Sequence, residues 1–460
     1  MRYVSTRGQS PAIGFIDALL AGLAPDGGLY CPESWPQVSL SDLNANDYVA
    51  TAFAMIAPFT GDEIPPDELM AMIKAAYATF DAPEVTPLVD LGADGHVLEL
   101  FHGPTLAFKD VAMQLLGRMF DWALAKRNQR LTIVAATSGD TGGAAVEALA
   151  GRERSDLIVL FPEGRISEVQ RRFMTTPKAA NIHAVAIEGT FDDAQAIVKA
   201  LFSDVTFRDD VSLGAVNSIN WVRILAQSVY YATSAARLGA ATYAVPTGNF
   251  GDAFAGYVAG VVGVPMQRIL IATNANDILA RALSTGRYAR GDVHATSSPA
   301  MDIQIASNFE RLLFEALGRD SGAVRACFEA LARDGAFDIP PRALDFIRAR
   351  FGAGSASDAE AAALIGQIFQ AKVYTLDPHT AVGLSVARSI SAHADMPLVT
   401  LATAHPAKFP ETVAPITGVN PALPHRCADL MQREERIAYL PADIDAVKKF
   451  VREKTRAVAK

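Results

Sequence analysis

The chain has only three cysteines in 460 residues. Cys31, Cys327 and Cys427 lie far apart, which excludes a disulfide framework and a cysteine-based metal spacing. No basic run is longer than short pairs such as Arg171-Arg172 and Lys448-Lys449, and the formal net charge is −9. No nucleic-acid footprint is therefore expected, and an anionic ligand must be met by a local site against the overall field. No apolar stretch is long enough to span a membrane, and Met1-Arg-Tyr-Val-Ser carries no apolar signal core, so a reducing cytoplasm is the expected setting. Internal repeats and low-complexity segments are also absent. What is present is globular: 50% of residues are hydrophobic and 20% charged, enough for a full core and two or more domains.

Residues 1 to about 90 read as a small separate α+β unit. Tyr3 to Gly8 suggests a short strand and turn, Phe15 to Leu23 a helix closed by Pro25-Asp-Gly-Gly28, and Asp47 to Ile56 and Pro66 to Phe80 two further helices. From Val85 the period changes, and residues 91–460 form the second region. Strand candidates at Leu131 to Ala136, Leu157 to Phe161, Ile182 to Ile187, Tyr243 to Pro246 and Ile269 to Thr273 alternate with helix candidates. One helix runs from Asp192 to Phe202 with Thr190 as its cap, and a long one from Ile219 to Leu238. This alternation predicts an α/β fold with mainly parallel sheets flanked by helices. From about 290 to 372 only helices are expected, with Gly352 to Ser357 as a small flexible loop. A strand returns at Leu398 to Thr403, and a C-terminal helix spans Ala442 to about Arg456.

Chemistry is expected in four places. His102-Gly-Pro-Thr-Leu-Ala-Phe-Lys109-Asp110 puts one lysine between an apolar lead-in and a helix start. Burial and a helix N-terminus both penalise an ammonium, which makes such an amine nucleophilic. Thr137-Ser-Gly-Asp140-Thr141-Gly-Gly143 and Pro246-Thr-Gly248-Asn-Phe-Gly251-Asp252 each follow a strand and open a helix, where backbone amides converge on anions. The second lacks the lysine of a Walker loop and the three spaced glycines of a dinucleotide fingerprint, so neither nucleotide reading is supported. Thr403-Ala-His405-Pro-Ala-Lys408-Phe409 follows the returning strand. There Thr403 is placed to meet a ring nitrogen, His405 reads as structural and Lys408 as a surface charge. An amine, an amide-lined phosphate loop and a threonine together are what pyridoxal phosphate requires.

At these residues the sequence resembles the threonine synthase family, of the bacterial and fungal branch that carries an extra N-terminal domain. Tyr3 to Gly8, Gly28-Leu-Tyr30, His102 to Asp110, Ala136 to Gly142, Asn217-Ser-Ile-Asn-Trp221, Pro246 to Gly251 and Thr403 to Phe409 carry the resemblance in family order. It implies a fold-type II pyridoxal-phosphate enzyme, like tryptophan synthase β, with large and small α/β subdomains. It implies that Lys109 is the Schiff-base lysine and catalytic group, and that Gly248, Asn249, Phe250 and Gly251 form the phosphate loop, with Asp252 contributing its backbone. Thr403 is implied as the partner of the pyridine nitrogen. Ser138, Asp140 and Thr141 correspond to the loop for the substrate's amino-acid end, and Asn217, Ser218, Asn220 and Arg223 to a segment shaping the substrate-phosphate site. No metal is implied.

The implied reaction converts O-phospho-L-homoserine and water to L-threonine and phosphate, through an aldimine of the cofactor, by a monomer or homodimer. This is the class of carbon–oxygen lyases acting on phosphates. Rival readings are a serine or threonine dehydratase of the same fold type, which would use the same cofactor residues, and a catalytically silent binding protein of this family. The N-terminal unit and Asn217 to Asn220 speak against the first, and an intact Lys109 and phosphate loop against the second. No extension of the allosterically activated plant type is visible, so effector control is not expected.

Overall fold

A computed structural model describes residues 1–457 apart from 138, 215–216, 373 and 391–395. Two mainly parallel sheets dominate. The six-stranded sheet runs, edge to edge, Phe351–Ser355, Met266–Thr273, Ala241–Pro246, Leu398–Ala402, His96–Glu99 and Leu88–Asp90. Only the last strand is antiparallel to its neighbour. The five-stranded sheet runs Ile437–Pro441, Ile182–Glu188, Ser155–Pro162, Leu131–Ala136 and Leu213–Gly214, all parallel. Ser155–Pro162 is buried at every position, as expected of a strand covered by helices on both faces.

Helix starts follow local chemistry. Thr190 and Asp193 form a reciprocal capping box at Phe191–Ser203, Asp47 caps Tyr48–Thr60, and Asn220 caps Trp221–Leu238. Trp221–Leu238 is buried over most of its length. It packs against Tyr48–Thr60 from the N-terminal unit, Lys109–Lys126 and Gly251–Val261. The N-terminal elements thus share one apolar core with the rest, in which Tyr3, Phe59 and Trp35 surround Trp221. No helix among the described residues is long and apolar enough to cross a membrane.

Two expectations are corrected here. The region from 290 to 372 is not purely helical: Ala336–Asp338 pairs with Arg287–Ala289, and Phe351–Ser355 is an edge strand of the six-stranded sheet. Gly352 to Ser355 is therefore no flexible loop. A Cβ on Gly352 would stand 2.8 Å from Leu270, and one on Gly354 3.0 Å from Val386. These glycines let neighbouring side chains close over the strand, and their apparent flexibility in sequence came from that packing demand.

Candidate functional site

Three adjacent strands of the six-stranded sheet deliver three of the predicted loops. Ala241–Pro246, Leu398–Ala402 and His96–Glu99 lie side by side and parallel, so their carboxyl ends carry the Gly248 loop, Thr403 and the approach to Lys109 together. The approach is then pinned by backbone pairing. Ala107 bridges Ala404, the Phe108 amide donates to the Thr403 carbonyl at 2.8 Å, and the His405 amide to the Leu106 carbonyl at 3.0 Å. Leu106 accepts a left-handed φ of 61° to make this turn. Asp140 arrives from the other sheet, as the first residue of Asp140–Leu149 after Leu131–Ala136.

Lys109 opens the helix Lys109–Lys126, and its amine stands 3.6 Å from Asp140 and 5.3 Å from the Phe108 ring centre. Burial pushes its pKa below that of an ordinary lysine. The Asp140 carboxylate opposes this, and Lys408 and Arg223 add to it. The carboxylate next to it in sequence plays no such part, because Asp110 turns back to accept from the Thr105 amide and hydroxyl, each at 2.7 Å. Burial drives the Asp140 carboxyl up, but Lys408, Lys109 and Gln170 overcome it and hold it well below the usual carboxylate range.

Lys408 corrects another expectation. Its side chain is 1% exposed, not a surface charge, and its ammonium meets Asp140 at 2.6 Å and the Thr105 carbonyl at 2.9 Å. His405 is structural as read: its Nδ1 accepts from the Ala407 amide at 3.1 Å, and burial takes its pKa down to about 4.

The Gly248 loop presents free donors. Among the described residues, the amides of Gly248, Asn249, Phe250 and Gly251 donate to no protein acceptor. Phe250 takes a left-handed φ of 64° and so turns the chain into Gly251–Val261. The loop is held from outside by Asn308, whose amide and Nδ2 both donate to the Asn249 carbonyl at 3.0 Å. The Asp252 carboxylate is occupied locally by the Ala253 amide at 2.9 Å, and burial raises its pKa to about 6.

A cleft of about 2870 Å³ opens between the sheets, lined by Lys109, Asp140, Thr141, Asn217, Ser218 and Asn249 among others. Arg223, whose charge acts on Lys109, is 4% exposed, and its Nε and Nη1, like the buried Asn217 Oδ1, have no partner among the described residues. Unpartnered buried polar atoms beside a cleft mark a place where a ligand completes the bonding. Asn220 differs from its neighbours in sequence. Its Oδ1 caps Val222 and its Nδ2 donates to the Leu19 carbonyl, so both ends serve the fold. Ser138 lies outside the described residues.

This set fits pyridoxal phosphate. A buried amine, four amides at a helix N-terminus and a Thr403 hydroxyl, the amides and hydroxyl without a protein partner among the described residues, supply a partner for each end of the molecule. Arg311 and Asn308, which brace the site, carry no signal in the sequence, because apart from their bond to each other their partners are carbonyls distant along the chain.

Comparisons agree with the geometry. Family models match at residues 2–77 (threonine synthase N terminus), 80–403 (pyridoxal-phosphate dependent enzyme) and 380–451 (threonine synthase, C-terminal). The chain is 47% identical to a threonine synthase of Pseudomonas aeruginosa over 98% of both chains. It superposes on a pyridoxal-phosphate-bound threonine synthase from Brucella melitensis with a TM-score of 0.97 and 53% identity, covering 99% of this chain and all of that one. A yeast threonine synthase gives 0.93 and 39% identity over 98% of each chain. With whole-length likeness on every count, the chain belongs to the threonine synthase family of pyridoxal-phosphate-dependent enzymes.

Proposed function

We propose that this chain is a threonine synthase, converting O-phospho-L-homoserine and water to L-threonine and phosphate. The observation that carries this reading is the likeness to threonine synthases over 98% of the chain at 47% identity. Pyridoxal phosphate, when bound, supplies an electron sink for charge developing at the substrate's Cα. Lys109 would hold it covalently, and the amides from Gly248 to Gly251, with that of Asp252, would take its phosphate. The Thr403 hydroxyl would meet the ring nitrogen as a neutral partner.

The chain's own groups then have defined work. Burial holds the Lys109 amine below the proton affinity of an ordinary lysine, which suits it to accept the Cα proton and return protons along the substrate. Asp140 faces the ammonium this creates. Thr141, and Ser138 with it, would receive the substrate's amino-acid end. Asn217, Ser218 and Arg223 would take its phosphate, with Asn220 holding that segment in place. In the same reading, residues 1–90 are a unit that walls the cleft, 91–460 the cofactor-binding region, and the enzyme a cytoplasmic monomer or homodimer. Phosphate release from O-phosphohomoserine by the wild type, abolished in Lys109→Ala, is the expected result. Ammonia release from threonine without phosphate release would favour the dehydratase reading instead.

A further inference from the structure

Lys408 is a second buried lysine at the site that the reaction as described does not use. It sits on the short turn Pro406–Lys408, fixed by the His405 ring and by the pairing of His405 with Leu106. Its ammonium has two close polar partners, Asp140 Oδ1 at 2.6 Å and the Thr105 carbonyl at 2.9 Å. Asp140 Oδ2, the other carboxylate oxygen, stands 3.6 Å from the Lys109 amine, and Gln170 Nε2 donates to Oδ1 at 2.9 Å. One carboxylate is therefore shared by two lysines, with one oxygen clamped and the other aimed at Lys109.

We propose that Lys408 is a positioning residue: it clamps Asp140 as a fixed carboxylate, and so sets how readily the Lys109 nitrogen takes and gives up its proton. This rests on the reading of Lys109 as the cofactor lysine. The physical logic is a divided counter-charge. A buried carboxylate facing one lysine would bind that lysine's proton strongly and make it a poor base. A second ammonium on the same carboxylate takes up part of its charge, leaving Lys109 with enough partner to be stabilised when protonated but not enough to be locked there. The other groups that face Lys109 are Arg223, which disfavours its proton, and Asp252, which favours it. Asp110, whose carboxylate is engaged by Thr105, lies within the field of Lys408.

The test is made on the full chain with Lys408→Met, Lys408→Arg and Asp140→Asn. With cofactor bound, the pH midpoint of its visible absorbance reports protonation of the Lys109 nitrogen. After cofactor removal, labelling of Lys109 by an amine reagent, read by mass spectrometry against pH, reports the free amine. Removing the Lys408 charge should raise the proton affinity of the Lys109 nitrogen about tenfold, removing the Asp140 charge should lower it about tenfold, and Lys408→Arg should stay within about threefold of wild type. In Lys408→Met, kcat should fall with KM little changed. A role confined to packing would not move the two variants in opposite directions. An unchanged or lowered proton affinity in Lys408→Met, or a raised one in Asp140→Asn, would overturn the proposal. If Lys408→Met does not fold, Asp140→Asn and Lys408→Arg decide alone. Should a borohydride trap place the cofactor on another lysine, the functional reading fails, and the opposite shifts in the free amine still test the clamp.

Discussion

Arg311→Met is the perturbation that most of the site should feel. The guanidinium is fully buried and donates to the Tyr30 carbonyl at 3.1 and 3.0 Å, to the Ile219 carbonyl at 2.7 Å and to Asn308 Oδ1. Asn308 in turn donates to the carbonyls of Asn249 at 3.0 Å and Ser218 at 3.1 Å. One side chain thus joins the N-terminal unit, the Asn217 to Asn220 segment and the Gly248 loop. Methionine fills much of the same volume and donates nothing. Three stranded acceptors at roughly 1–3 kcal/mol each are partly offset by no longer burying a cation, which leaves a net loss of ~2–4 kcal/mol. For a chain of this length that is a fall of ~2–4 °C in Tm. Asn308 also loses its brace, so the cofactor should be retained about tenfold less tightly. Thermal melting of the holoenzyme and cofactor loss on dilution, followed by absorbance, measure both. A variant with the wild-type Tm and wild-type retention would show that these bonds add nothing, and the bracing argument would fail.

Three further outcomes follow from single positions. A Cβ on Gly248 would lie 2.5 Å from the Ala300 carbonyl oxygen, so Gly248→Ala must shift the loop; cofactor titration should show about a tenfold or greater loss in affinity, and an unchanged Kd would sink the idea. Arg223 buries two guanidinium nitrogens that have no partner among the described residues, and burial lowers its pKa to about 10. Arg223→Met should therefore raise Tm in the absence of substrate while cutting kcat/KM for the phosphorylated substrate ~10–100-fold; a kcat/KM within twofold of wild type would contradict its assignment. Burial and the nearby Asp110 push the Glu147 carboxyl from 4.5 to about 7. A carboxyl raised on folding stabilises below its unfolded pKa, and that contribution is lost as pH rises towards 7, with a ceiling of ~3 kcal/mol. Glu147→Gln should flatten the decline in stability between about pH 4.5 and 7 in denaturant titrations; an identical slope in both proteins would refute the cause.

Much of this site could be read before any coordinates. Loops that follow buried apolar strands and open helices announce themselves by composition, which is why Lys109, the Gly248 loop and Thr403 could all be picked out. Strand adjacency then brought them together, a fact that periodicity alone does not carry. The burial of Lys408 is not legible in the sequence, because a lone lysine after a strand looks the same whether it meets water or a carboxylate, and its carboxylate follows a strand of the other sheet. Asp110 follows Lys109 in sequence, yet the first helical turn points its carboxylate at Thr105. Phe351–Ser355 carries no strand signal, because a glycine-rich edge strand has neither the alternation nor the β-branched residues that mark strands. Ile437–Pro441 and Leu213–Gly214 are short edge strands that only their neighbours define.

The central claim is that one lysine, Lys109, anchors the cofactor at the junction of the three loops. Its most direct test is to reduce the holoenzyme with borohydride, digest it and locate the pyridoxyl group by mass spectrometry. The account predicts a single modified peptide with the group on Lys109, and none from Lys109→Ala. A pyridoxyl group on Lys408, the other lysine buried against Asp140, or on any lysine outside the cleft would contradict it.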